Sequence, residues 1–516
     1  MLGPPRPRRL DAPVAVSLED LVPADHFYRH LERALDLAFV RDPVKDAYAA
    51  IGRPSIDPVA SFKLQLVLFF EGLRSERQLL RLAADRLSVR WYLGYALDEP
   101  LPDHSSLTRI RARLGLDAFR RFFELVTEQC VRAGLVWGRE LDVDATEVAA
   151  NAALGATQPR FVVEAHLGRL FGPGSSQPTS DGEGRGGGGE PGDGRGAPVP
   201  LPVALSDEAR ADLAAVAAAR HGWLAHAGRP DRGRPNSAYR RAADFRANPS
   251  DPDAAPLRPT GGRARLGYRV RYVVDGGKAR VVLAALTAPA DVQDNQPALD
   301  LLWHARFRWK LRPRQVTGDT KYGTVENAVA IEDQGIRAYV PLAEVGHRPG
   351  SIRDPGFVYD AGTDTCRCPG GATLRFLSEC RRTRRLIYQA PASVCGACAL
   401  RARCTTSPRG RRVARSLGEA YLDRVRGYQA TEPYAKAIRK RKVWVEPLFA
   451  EAKDWPGLRR FRLRRLEKVN GEALLVAAGQ NLKRLLSRRG WGRRPWPSGG
   501  VGLVLPALAP APTAPP

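Results

Sequence analysis

The stretch RELDVDATEVAANA, residues 139–152, decides how the rest of the chain is read. Apolar and polar side chains alternate along it as in a β-strand, which puts Asp142 and Asp144 on one face, with Asp144 closing the strand. Before it, from Asp25 to about Gly134, the pattern is helical. PVASFKLQLVLFFEGL (58–73) opens on a proline suited to a first helical turn and carries a broad apolar face. SERQLLRLAADRLSVRWYLGY (75–95) begins on a serine cap, and LTRIRARLGLDAFRRFFELVTEQCVRAGL (107–135) reads as a third helix after the turn DEPLPDHSS. These helices read as amphipathic, with arginine-rich outer faces.

Downstream, the strand pattern is interrupted. GPGSSQPTSDGEGRGGGGEPGDGRGAPVP (172–200) is too poor in apolar residues to fold, and a short Ala-rich helix over 206–222 follows. Strand signals resume in RARLGYRVRYVVDGGKARVVLAALTAPA (263–290), where Asp-Gly-Gly turns two β-rich runs into a hairpin. A helix over about 296–309, the strand and loop RQVTGDTKYGT (314–324), a helix over 325–335 and the strand IRAYVPL (336–342) come next. The chain then runs through a Cys-rich stretch, a long basic helical region from about Glu432 to Arg489 and a Pro/Ala/Gly tail. The fold class is therefore α/β, a mixed-sheet core preceded by an all-helical domain. The expected organisation is a flexible basic N-terminus (1–24), a helical DNA-binding domain (25–135) and a core assembled from 136–173, 261–345 and 416–490. Between and after these lie a largely disordered insertion (174–260), a Cys-rich insert (346–415) and a disordered tail (491–516).

Charge narrows the partner. Eighty-one Lys and Arg against 55 Asp and Glu leave a net +26. Such an excess repels itself unless it meets a polyanion, and nucleic acid is the usual one. A basic helical bundle at the front of such a chain suits DNA docking. No apolar run is long enough to cross a bilayer, and the start lacks an apolar signal core, so a cytoplasmic, nucleoid-associated protein is expected. Six of the seven cysteines fall between residues 366 and 404, which in a cytosolic protein argues for metal over disulfides. Cys395-Gly-Ala-Cys398 followed by Cys404 has knuckle-like spacing, and Cys368 can supply a fourth thiolate to a structural Zn²⁺. Cys366 and Cys380 are left over, so the spacing alone leaves the ligand set open.

Acidic residues in apolar-flanked strand ends and in the last basic helix give three places for a hard cation: Asp144, Asp319 in VTGDTKYGT, and Glu446 in RKRKVWVEPLFAEAKDW (439–455). Each has a competing explanation. Asp142 shares a face with Asp144, Asp319 follows a glycine as turn residues do, and Glu451 lies close behind Glu446. Pro447 places Glu446 at a kink or a helix start. Two Mg²⁺ ions held by three carboxylates suit phosphodiester cleavage and strand transfer.

The same strings carry a resemblance. The chain resembles bacterial insertion-sequence transposases of the DDE class that have a helical N-terminal domain and a Cys-bearing insert. The likeness rests on residues 57–95 and LPDHSSLTRIRARLG (101–115), on VDATEVAANA (143–152), on SDPDA with LGYRVRYVVD, on GDTKYGT (318–324), and on RKVWVEPLFAEAK (441–453) with 457–486. It implies an RNase H-like core in which Asp144, Asp319 and Glu446 hold two Mg²⁺ (or Mn²⁺) ions. It also implies an Arg and a Lys around the Glu, here Arg441 and Lys453, whose charges suit phosphate clamping. A basic residue stands where the family has a Tyr, and Ala145 stands where Gly is common. The implied activity is binding of an element's terminal inverted repeats, cleavage at its ends and joining to target DNA. Double-stranded DNA is then the partner and a homodimer the working unit. A non-catalytic zinc-containing DNA-binding protein and an inactive transposase remnant are the alternatives.

Overall fold

The computed structural model describes residues 15–47, 56–159, 246–259, 262–342, 356–380 and 385–491. Of the flexible N-terminus expected over 1–24, residues 1–14 lie outside these residues, as do the Ala-rich helix expected at 206–222 and most of the insertion and tail. The chain divides into two compact units, one of residues 1–114 with 482–516 and the other of 115–481.

In the first unit, α1 (Leu18–Leu21) and α2 (Phe27–Ala34) precede α3 (Pro58–Phe70), α4 (Glu76–Asp85) and α5 (Leu87–Leu93). Pro58 does start α3, capped by the Asp57 carboxylate. Its apolar face is wider than expected, because Ala60, Phe62, Leu64, Leu66, Val67 and Phe70 are all buried and the helix runs through the unit's core. Ser75 caps α4 as read, but the 75–95 helix breaks at Arg86, whose extended backbone ends α4 and starts α5. That arginine is used: it pairs at 2.8 Å with Glu71, which also accepts from the Tyr28 hydroxyl. The third helix, α6 (His104–Arg132), is two helices, because Gly115 (φ 62°, ψ −177°) takes it out of helical geometry.

The second unit is built on a mixed sheet. Its strands are β1 (Glu140–Ala149), β4 (Ala255–Leu257), β5 (Arg265–Asp275), β6 (Val282–Pro289), β7 (Gln315–Thr317) and β8 (Arg337–Tyr339). A two-stranded pair, β2 (Gln158–Pro159) with β3 (Arg246–Ala247), lies outside it. β4 joins the sheet beside β5. β1 is antiparallel to β5, β5 to β6, and β7 and β8 run parallel to β1, giving the order β6-β5-β1-β7-β8. β1 does not close at Asp144. Its pairing with β7 stops at Asp142↔Thr317 while its pairing with β5 runs on to Ala149. Helices α7 (Ala298–Arg308) and α8 (Val325–Asp333) connect the later strands.

Five further strands, β9 (Val358–Asp360), β10 (Thr365–Arg367), β11 (Thr373–Cys380), β12 (Arg385–Gln389) and β13 (Arg412–Ser416), form a separate antiparallel sheet. Its core is Phe357, Cys366, Leu374, Tyr388 and Val413. Two short helices, α9 (Ala392–Gly396) and α10 (Arg401–Cys404), sit between β12 and β13. The Cys-rich stretch is therefore a folded β-module.

After α11 (Glu419–Gln429), the long helical region expected from about Glu432 to Arg489 is three helices: α12 (Glu432–Trp444), α13 (Glu446–Asp454) and α14 (Leu466–Arg488). Residues 455–465 between the last two are non-helical and lie against the end of β1, with Phe461 N–H bonded to Ala149 O and Ala149 N–H to Arg459 O. Two buried asparagines of α14 cover the open edge of β6. Asn470 bonds both backbone groups of Thr287, and Asn481 both of Val282. An edge strand that would otherwise leave polar groups unpaired is closed by side chains.

Candidate active site

Asp142 and Thr317 are register partners on parallel neighbours, so Asp144 and Asp319 each stand two residues further on, at the end where the β1–β7 pairing stops. Asp144 is buried, and its Oδ1 accepts from the Ala145 N–H. Asp319 lies just past β7, where its carboxylate caps the turn Thr320–Tyr322 by accepting from Lys321 N–H at 2.9 Å. Glu446 is the first residue of α13, followed by Pro447, so the helix start read from that proline is found.

Arg441 links the acids. Its guanidinium donates to Asp144 Oδ2 at 2.7 Å and lies 3.9 Å from Glu446 Oε1. It is buried on the face of α12 that also carries Ala437, one turn earlier. Burial pushes the Asp144 carboxyl up to about 6; Arg441 pulls it back, and the charges of Asp319 and Glu446 add to the rise. Asp319 and Glu446 thus each lie within electrostatic reach of Asp144. Lys453, near the end of α13, is half-buried, and burial lowers its pKa; its acidic neighbours are Glu147 and Asp454. Of the competitors, Glu451 is taken up by Gln480 at 3.1 Å, whereas Asp142 is fully buried beside Thr317.

Sequence reasoning missed Lys440. It pairs with Glu140 at the start of β1 and lies over the rings of Trp137 and Trp444, 5.5 and 4.5 Å from their centres. Nothing in the run RKRK separates it from its neighbours. Several arginines after α13 are engaged within the protein: Arg460 and Arg464 donate to the carbonyls of Ala150 and Asn151, and Arg462 lies beside Glu472.

Asp142 gives a pH test. Burial holds its carboxyl up near 7, against the pull of Lys440. An acid whose folded pKa is raised contributes full stability below its ordinary value of about 4 and loses it as pH rises through about 7. Asp142→Asn should therefore raise the melting temperature at pH 8, by a few kcal/mol of stability, and leave it unchanged at pH 4. Thermal melts of both proteins at the two pH values check this.

The four cysteines expected as ligands come together on the β-module. Cys368, Cys395, Cys398 and Cys404 line one cavity of about 360 Å³ with Leu400 and Arg411. A methyl group added at Gly370 would lie 3.1 Å from Cys398 Sγ and 3.7 Å from Cys368 Sγ. Backbone N–H groups of Ala372 and Arg411 donate to the sulfurs of Cys368 and Cys395 at 3.2 and 3.4 Å. Burial raises the Cys404 thiol, Arg411 lowers it, and the other three thiols raise it further. Cys366 belongs to the module's apolar core, and Cys380 ends β11 away from the cavity lining. Among the described residues, no group of three or more His, Cys, Asp or Glu side chains is placed so that it could hold a metal ion, at the carboxylates or at the thiols.

Two family models match the chain. Residues 16–113 match a transposase domain (DUF772), and residues 367–486 match a transposase DDE domain. Together they support an insertion-sequence transposase of the DDE class. A DDE domain implies an RNase H-like fold, and the second match contains Glu446, Arg441 and Lys453 but begins after Asp144 and Asp319. No curated protein and no solved structure matches the chain. Among the described residues, no helix is long and apolar enough to cross a membrane.

Proposed function

We propose that this protein binds the terminal inverted repeats of its own element and catalyses metal-dependent strand cleavage and transfer, using Asp144, Asp319 and Glu446 on an RNase H-like sheet. The observation that carries this reading is the convergence of those acids. Two stand just past the point where the parallel β1–β7 pairing stops, and Arg441 reaches from the first to the third. A DNA-binding protein of net +26 gains nothing by gathering acids at one place unless they hold a cation.

The donor set fits hard divalent ions: carboxylate oxygens throughout, with open positions for water and phosphate. Two such ions, when bound, activate an attacking oxygen and stabilise the leaving oxygen of a phosphodiester. The protein's own part is to fix the acids. β1 and its neighbours hold Asp144 rigidly, the turn after β7 aims Asp319, and the Pro447 helix start sets Glu446. Arg441 balances their repulsion, and Lys453 offers a cation to the DNA backbone on the same helix. The basic first unit supplies the DNA-docking surface, and two copies act together to join two ends. The test is cleavage of DNA carrying the inverted repeats that flank the gene. Mg²⁺-dependent 3′-hydroxyl ends are expected at the repeat boundary; specific binding with no nicking in Mg²⁺ or Mn²⁺ would overturn the enzyme reading.

The β-module takes a structural Zn²⁺ in the same reading. Four soft thiols around one cavity, two of them receiving backbone N–H bonds, suit tetrahedral zinc and not the catalytic ions. Purified protein should carry about one zinc per chain by elemental analysis, and Cys395→Ser with Cys398→Ser should lose it and make the module protease-sensitive. Retention of zinc by that variant would contradict this ligand set.

A further inference from the structure

One acid near the candidate site has no part in the reading above. Asp294 lies in the turn between β6 and α7 and is almost wholly buried, at 2% exposure. Three cations gather on it: Lys321 Nζ at 3.1 Å, Arg269 Nη1 at 3.1 Å and Arg271 Nη2 at 3.2 Å. Arg271, itself buried, is the β5 partner of Ala145, the residue after Asp144, and also donates to Val292 O at 2.5 Å. Lys321 belongs to the turn that Asp319 caps, and its own N–H is the group that the Asp319 carboxylate accepts from.

Asp294 therefore ties the loop bearing the second carboxylate to the strand beside the first. Two constraints already press on that loop. Gly318 N–H bonds Tyr339 O, and any side chain at Gly323 would collide with Pro341 O, since a Cβ there would sit 1.9 Å from it. Neither acts on the residue whose N–H orients Asp319. The Lys321–Asp294 pair does, at one end in a buried carboxylate that two arginines hold in place. A buried acid with fixed partners makes a firmer anchor than an exposed ion pair, which orders little.

We propose that Asp294 is a positioning residue for the catalytic cation site, pinning through Lys321 the turn that aims Asp319; this rests on the carboxylate reading of the site. Lys321 is the informative position because simple charge and the pin predict opposite signs. Removing an ammonium near three acids should strengthen the binding of a divalent cation. Loss of the pin should weaken it.

The experiment measures Mn²⁺ binding to the DNA-free, full-length protein by electron paramagnetic resonance, which needs no turnover. Lys321→Met and Asp294→Asn are each expected to weaken binding five- to tenfold. The double variant should be no weaker than either single one, and Lys321→Arg should recover most of the affinity. Lys321 is more than half exposed, so its variants keep the test alive if Asp294→Asn fails to fold. Unchanged or tighter Mn²⁺ binding in Lys321→Met overturns the pin, as does additive weakening in the double variant. Asp319→Asn is the separate control: if it binds Mn²⁺ as the wild type does, the carboxylate reading itself falls.

Discussion

Asp319→Asn is expected to abolish Mg²⁺-dependent cleavage at the element ends while leaving binding to those ends within about twofold. Asparagine has nearly the same shape and can still accept the Lys321 N–H that the carboxylate accepts now, so the turn Thr320–Tyr322 should persist. What is lost is one anionic oxygen pair from a set of three. A hard cation depends on that charge, so a fall of at least about 10³-fold in rate, roughly 4 kcal/mol or more, should follow. Binding should rest on phosphate contacts elsewhere and should gain slightly from removal of a negative charge. A gel-shift titration beside a cleavage time course separates the two. Cleavage at more than about a tenth of the wild-type rate would remove Asp319 from the site.

The second large effect is expected at Arg441. Its place in a run of cations suggests a phosphate clamp, but its side chain is only 9% exposed and lies against Asp144 at 2.7 Å. Truncating one partner of a buried pair leaves the other charge uncompensated, which typically costs about 3–5 kcal/mol. Arg441→Ala should therefore lower the melting temperature sharply when no divalent cation is present. Millimolar Mn²⁺ should restore much of the loss, because a bound cation supplies the missing positive charge. A pure phosphate clamp predicts the reverse pattern, with normal stability and weaker DNA binding. Differential scanning calorimetry with and without Mn²⁺, alongside DNA titration, distinguishes them.

Much of the framework that carries the candidate acids was legible because those acids sit in strong local patterns. The alternation of LDVD marks β1, the hairpin turn at Asp275 marks its partner, and Pro447 marks the start of α13. Other features follow from tertiary packing that local spacing does not encode. Asp144 lies in mid-strand because β5 keeps pairing after β7 has stopped. Gly115 and Arg86 break helices within apolar spacing that continues smoothly across both. Residues 455–465 keep a helix-like scatter of leucines and arginines, yet Arg459 O and Phe461 N–H bond Ala149, and the N–H groups of Arg462 and Leu463 bond Glu472. The strands of the Cys-rich module are short, and their exposed positions carry little period to read. Arg441 had a readable signal in the four-residue spacing from Ala437, which puts it on the buried face of α12, but the surrounding cations hid it.

The most direct measurement is anomalous diffraction at the manganese edge from crystals of the protein grown with Mn²⁺ and an end-DNA fragment. The account predicts manganese density bounded by the carboxylates of Asp144, Asp319 and Glu446, with a DNA phosphate completing the coordination. Ordered end DNA with manganese elsewhere, or with Arg441 still filling the space between Asp144 and Glu446, would contradict it.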